Sequence, residues 1–155
     1  MSRVSDPGVP AYAGASLPAR VFVDTSYVIA LFVPRDQHHA AARALASAMV
    51  RARTRLVTTH AVLLEIGNAL ARPQYRTAAL TILQTLESDP AAEIIPVTQE
   101  RYAQARVLYA TRADQAWGLT DCVSFVVMRE FGLTGALTAD RHFEQAGYRA
   151  LLRDG

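Results

Sequence analysis

The sequence alternates between short, continuous apolar runs and longer stretches in which apolar side chains return every three or four residues. Val21-Phe22-Val23, Leu56-Val57, Ile94-Ile95 and Ala136-Leu137 are too short for helices, and polar or turn-forming residues follow each of them. Runs of this kind fit strands buried on both faces. They predict strands over 21–23, 56–59, 94–97 and 136–138, with a last one over 148–151. The periodic stretches predict helices over 27–33, 38–50, 61–71, 75–86, 99–111, 121–131 and 140–145. Pro34 and Pro73 limit two of these helices, Thr98 and Thr120 supply N-caps, and Pro96 assigns the third strand to a sheet edge. Strands alternate with helices throughout. That pattern predicts an α/β fold with a mainly parallel sheet flanked by helices and right-handed crossovers.

Composition narrows the picture. A chain of 155 residues can close one core without disulfides or structural metal. Residues 1–19, with Asp6-Pro7-Gly8-Val9-Pro10, read as a flexible leader to a single domain over 20–155. They lack the apolar core of a signal peptide, and no run of about 18 apolar residues predicts a membrane span. Cys122 is the only cysteine, which fits a reducing compartment such as the cytoplasm. The net charge is +2 and every one of the 16 basic residues is arginine, a balance that tolerates a polyanionic partner without demanding one. Arg51, Arg53, Arg55, Arg72 and Arg76 are candidates to follow such a backbone on the strength of their sign alone.

The chemistry comes from asking which carboxylates stand where carboxylates are costly. Asp24 directly follows Val21-Phe22-Val23, and Asp140 closes Ala136-Leu137-Thr138-Ala139. Both fall at the carboxyl ends of predicted strands, the edge where open α/β sheets bind ligands. N-capping of the following helices is the competing role for each. Glu65 lies inside Val62-Leu63-Leu64-Glu65-Ile66 and is the only acid between Asp36 and Glu87. Unpaired burial there costs several kcal/mol, so the alternative is a polar stripe on that helix. Asp121 leads the most apolar helix of the chain, where the helix dipole alone contributes about 0.3–1 kcal/mol. Four carboxylates that converge repel one another unless a cation lies between them. Oxygen ligands select Mg²⁺ or Mn²⁺ over zinc.

Four blocks then stand out in order: Val21-Phe22-Val23-Asp24-Thr25-Ser26, Leu64-Glu65-Ile66-Gly67-Asn68-Ala69-Leu70, Leu119-Thr120-Asp121-Cys122-Val123-Ser124-Phe125, and Leu137-Thr138-Ala139-Asp140-Arg141-His142-Phe143. Together they resemble the PIN-domain ribonucleases, and most closely the VapC-like toxins of bacterial toxin–antitoxin pairs, over about residues 20–152. The resemblance implies a PIN-like fold with a four- or five-stranded parallel sheet. It implies an endoribonuclease that hydrolyses RNA phosphodiesters with water activated by Mg²⁺ or Mn²⁺. It also implies a homodimer inhibited by a cognate antitoxin. By motif position Asp24, Glu65, Asp121 and Asp140 are its four acids, Thr25 or Ser26 the hydroxyl that supports the first, and Asp114 an outer-shell candidate.

The remaining chemistry-bearing residues fit blander roles. His38, His39 and His60 are expected at the surface, His142 beside the site rather than in it, and Trp117 in packing. Cys122 has no evident base and is not expected to act as a nucleophile. Two other functions share this sequence pattern. One is a housekeeping PIN ribonuclease in RNA processing, and the other is a catalytically silent PIN-fold binding module. The presence of all four acids argues against the silent module.

Overall fold

The computed structural model describes residues 16–154, so residues 1–15 of the expected leader lie outside the described residues. Five strands, β1 (Arg20–Val23), β2 (Arg55–Thr59), β3 (Ala92–Ile95), β4 (Gly135–Leu137) and β5 (Arg149–Ala150), form one sheet. Their order is β3-β2-β1-β4-β5, and every pairing is parallel. The helices are α1 (Thr25–Phe32), α2 (His39–Ala52), α3 (His60–Ala69), α4 (Pro73–Ser88), α5 (Gln99–Thr111), α6 (Leu119–Glu130) and α7 (Arg141–Gln145). This is the expected α/β architecture with five strands.

β1 explains its own composition. It lies between β2 and β4, with Phe22 opposite Val57 on one side and Ala136 on the other. Covered on both faces, Val21, Phe22 and Val23 are fully buried. β3 does occupy an edge, but it spans residues 92–95 rather than 94–97. Pro96 falls just past its end, where a missing N–H costs no ladder bond. Several helix ends also differ from the sequence reading. Pro73 opens α4 at its first position, where a proline N–H is not needed. α2 runs on to Ala52 and stops at Arg53, which is left-handed with φ 54°. α6 begins at Leu119 with Gly118 as its N-cap, not Thr120.

The chain leaves β1 for β2 and β3 on one side, then returns to build β4 and β5 on the other. The strand order therefore reverses between β1 and β4, which makes their carboxyl ends a topological switch point. Arg55 begins β2 opposite Arg20, at the amino edge of the sheet. Arg51, Arg53 and Arg55 thus stand at the end of the sheet opposite Asp24.

A chain of rings ties the sheet to α6 and α7. Phe143 packs on Phe22 at 6.2 Å and edge-on against Phe125 at 5.0 Å, and Phe125 meets Trp117 at 5.0 Å. α7 is only five residues long, so this anchor and its caps hold it. At its carboxyl end the Gly147 N–H donates to Glu144 O and the Tyr148 N–H to Phe143 O, closing a Schellman turn. Gly147 has φ +94° there. Gly147→Ala is expected to lower stability by about 1–2 kcal/mol through backbone strain, read as a drop in Tm. No helix among the described residues is long and apolar enough to cross a membrane.

Candidate metal centre at the carboxyl edge of the sheet

Asp24 takes the N-cap position of α1 but makes no side-chain cap bond. Its carboxylate turns instead toward β4. Thr138 Oγ1 donates to Asp24 Oδ2 at 2.7 Å and Ser26 Oγ donates to the same oxygen at 3.0 Å. The Ser26 hydroxyl also accepts the Ala139 N–H, and the Thr138 hydroxyl accepts the Asp140 N–H. Two hydroxyls therefore clamp the end of β1 to the end of β4. Asp24 is 6% exposed. Burial raises its carboxyl pKa above the ordinary value, the two hydroxyl bonds pull it back, and the Asp121 charge raises it further.

Glu65 comes from the middle of α3 and is half-buried. Thr25 Oγ1 donates to its Oε1 at 3.2 Å. Burial raises the Glu65 pKa, and the charges of Asp24, Asp121 and Asp140 push the same way. The two hydroxyls that follow Asp24 therefore divide their work: Ser26 steadies Asp24, and Thr25 steadies Glu65.

Asp121 and Asp140 each combine capping with something more. Asp121 Oδ2 accepts the Gly118 N–H at 2.9 Å, which is why α6 starts there. Asp140 Oδ1 accepts the His142 N–H at 2.9 Å as the N-cap of α7. The His142 ring faces the same carboxylates, with Nδ1 3.1 Å from Asp121 Oδ2 and 3.4 Å from Asp140 Oδ2. One atom from each of Asp121, Asp140 and His142 lies within 4.8 Å of the others, close enough to share one ion. Asp24 and Glu65 stand outside this tight group but near enough to feel its charge. An oxygen-rich donor set with mutually repelling carboxylates suits a divalent cation.

His142 is the residue that sequence reasoning set aside. Its signal was there: it lies two residues after Asp140, inside the same cap. Asp114 goes the other way. It is exposed and paired with Arg112, Oδ1 to Nε at 3.0 Å, so its described partner is a loop arginine rather than the acid cluster. His39 is not free at the surface, because its Nδ1–H donates to Ala30 O at 2.8 Å. Trp117 is buried, and its indole N–H donates to Gln145. Cys122 is buried too, and burial raises its thiol pKa, so it makes a poor nucleophile.

The fold and the site together define an α/β protein with a carboxylate centre at the switch point of a parallel sheet. The family model described as PIN domain matches residues 21–147. The chain belongs to the PIN domain family. It is similar in structure to VapC20 of Mycobacterium tuberculosis, a sarcin-ricin loop cleaving toxin, at 26% identity and a TM-score of 0.75, covering 83% of this chain and 95% of that one. It also shares its fold with VapBC2 from Rickettsia felis, solved bound to a DNA fragment of its promoter, at 11% identity and a TM-score of 0.61, covering 84% and 96%. No curated protein sequence matches the chain.

Proposed function

We propose that this protein is a metal-dependent endoribonuclease and the toxin of a type II toxin–antitoxin pair. The observation that carries the reading is the convergence of Asp121, Asp140 and His142, with Asp24 and Glu65 around them, at the switch point. The VapC20 likeness supports the toxin assignment. Asp24, Glu65, Asp121 and Asp140 would hold Mg²⁺ or Mn²⁺. Bound there, the ion supplies Lewis acidity toward water and the scissile phosphate. The chain's own residues aim the acids. Thr138 and Ser26 fix Asp24, Thr25 fixes Glu65, and the Gly118 N–H fixes Asp121.

Arg141 follows Asp140 directly. It is exposed and makes no described ion pair, so it is free to meet a phosphate of the RNA strand. Arg141→Ala is expected to weaken binding of a single-stranded RNA and to reduce the slope of log K against log salt by about 0.7, while kcat at saturation changes little. An unchanged slope would remove Arg141 from the RNA path.

One groove suits the proposed antitoxin. A groove of about 590 Å³ between α1, α2 and α4 is lined by Val28, Leu31, Met49, Ile82 and Leu86. Thr54 also lines it, and its buried hydroxyl has no hydrogen-bond partner among the described residues. An apolar antitoxin segment would fill this groove.

The test is cleavage of a defined RNA, beginning with a sarcin-ricin loop oligonucleotide, with and without chelator. Loss of cleavage in chelator and its return with Mg²⁺ or Mn²⁺ is the expected result. Cleavage that persists in chelator would refute the metal. The toxin role is tested by growth arrest on expression, relieved by co-expressing the cognate antitoxin.

A further inference from the structure

His142 could do one of two things beside Asp121 and Asp140. It could act as a counter-cation that a metal displaces, or it could bind that metal. The geometry separates the two. Asp140 Oδ1 is used by the cap, which leaves Oδ2 turned to the imidazole at 3.4 Å. Asp121 presents Oδ2 to the same nitrogen at 3.1 Å. The backbone that carries the ring is anchored, because the next residue, Phe143, is fully buried against Phe22 and Phe125. The anchored backbone keeps Nδ1 within reach of both carboxylate oxygens. The result is one nitrogen and two carboxylate oxygens converging on one point, all three residues half-buried and reachable from solvent.

A nitrogen donor changes which ion such a site prefers. Mg²⁺ favours oxygen ligands and water, whereas first-row transition ions gain from imidazole. We propose that His142 Nδ1 is a ligand of the ion held by Asp121 and Asp140, and that it shifts the preference of the centre from Mg²⁺ toward Mn²⁺. The inference rests on the metal-dependent reading above.

The test uses metal-free full-length protein and the ions alone. Mn²⁺ is titrated and followed by electron paramagnetic resonance and calorimetry, with Mg²⁺ as competitor. Pulsed resonance of the Mn²⁺ complex is expected to show coupling to a directly bound nitrogen. That coupling should vanish in His142→Gln. The same variant should lose about tenfold or more in Mn²⁺ affinity, with a change of less than about threefold for Mg²⁺. Tighter binding of both ions by the variant would show a displaced counter-cation and overturn the proposal. So would Mn²⁺ binding to the wild type without nitrogen coupling, and that measurement stands even if the variant fails to fold. A wild type that binds neither ion would sink the metal-dependent reading itself.

Discussion

Asp24→Asn is expected to reduce RNA cleavage by a factor of about 10³ or more, on the scale of removing one preorganised catalytic group, and at the same time to make the metal-free protein more stable. The two effects share a cause. Asp24 is buried among groups that give it two hydroxyl bonds, the backbone N–H of Thr25 and no cation, with the Asp121 charge nearby. Asparagine keeps an oxygen for Thr138 and Ser26 and removes the charge. Replacing an uncompensated buried charge by a neutral isostere is expected to gain about 1–3 kcal/mol, seen as a higher Tm in chelator. The pH dependence has a definite sign. The folded-state pKa of Asp24 is raised, so the folded protein holds that proton more tightly than the unfolded chain. Stability of the metal-free wild type should therefore rise as pH falls through the raised value, and level off below about 4, where the unfolded group is protonated as well. Glu65 acts in the same direction. The advantage of Asp24→Asn should be largest at neutral pH and vanish in acid. Adding Mn²⁺ should stabilise the wild type more than the variant, which keeps Asp121, Asp140 and His142 but lacks the Asp24 charge. A variant less stable than wild type at pH 7 in chelator would contradict this account.

Phe143→Ala should have the largest effect on stability. The side chain is fully buried and touches both the sheet and α6. Its removal is expected to cost about 3–5 kcal/mol, a fall in Tm on the order of 10 °C for a chain of this size. It should also weaken Mn²⁺ binding well below the melting temperature, although Phe143 bears no ligand atom. Phe143 holds α7, and α7 carries His142 and is capped by Asp140. Phe143→Leu fills most of the space and should recover most of both losses. An unchanged Mn²⁺ affinity in folded Phe143→Ala would show that α7 keeps its place without the ring.

Much of this was legible before the structure because the signals were local. α5 spans residues 99–111 as expected, since Thr98 caps it and accepts the Arg101 N–H. The strands announced themselves because a central parallel strand must be apolar on both faces. The misses have tertiary causes. The start of α6 is set by a carboxylate reaching back three residues to Gly118, which outweighs the capping preference of Thr120. β3 is defined by its register with β2, Leu56 opposite Ala92, and not by its own most apolar stretch. Asp114 sits near Asp121 in sequence, yet Arg112 is two residues away and claims it. His142 was undervalued because its meeting with Asp121 depends on α7 packing against α6, and no spacing rule within one segment reports that. The place of Arg51, Arg53 and Arg55 was hidden for the same reason: charge is visible in a sequence, but the end of the sheet it occupies is not.

The clamp between β1 and β4 joins residues 114 positions apart. A ribosome makes Asp24 early and Thr138 late. During most of translation the first aspartate has no threonine to grip it, and Asp121 has no histidine beside it. On the nuclease reading, a half-made polypeptide is unarmed, and a protein translated alongside it has that interval in which to be waiting when the last strands emerge.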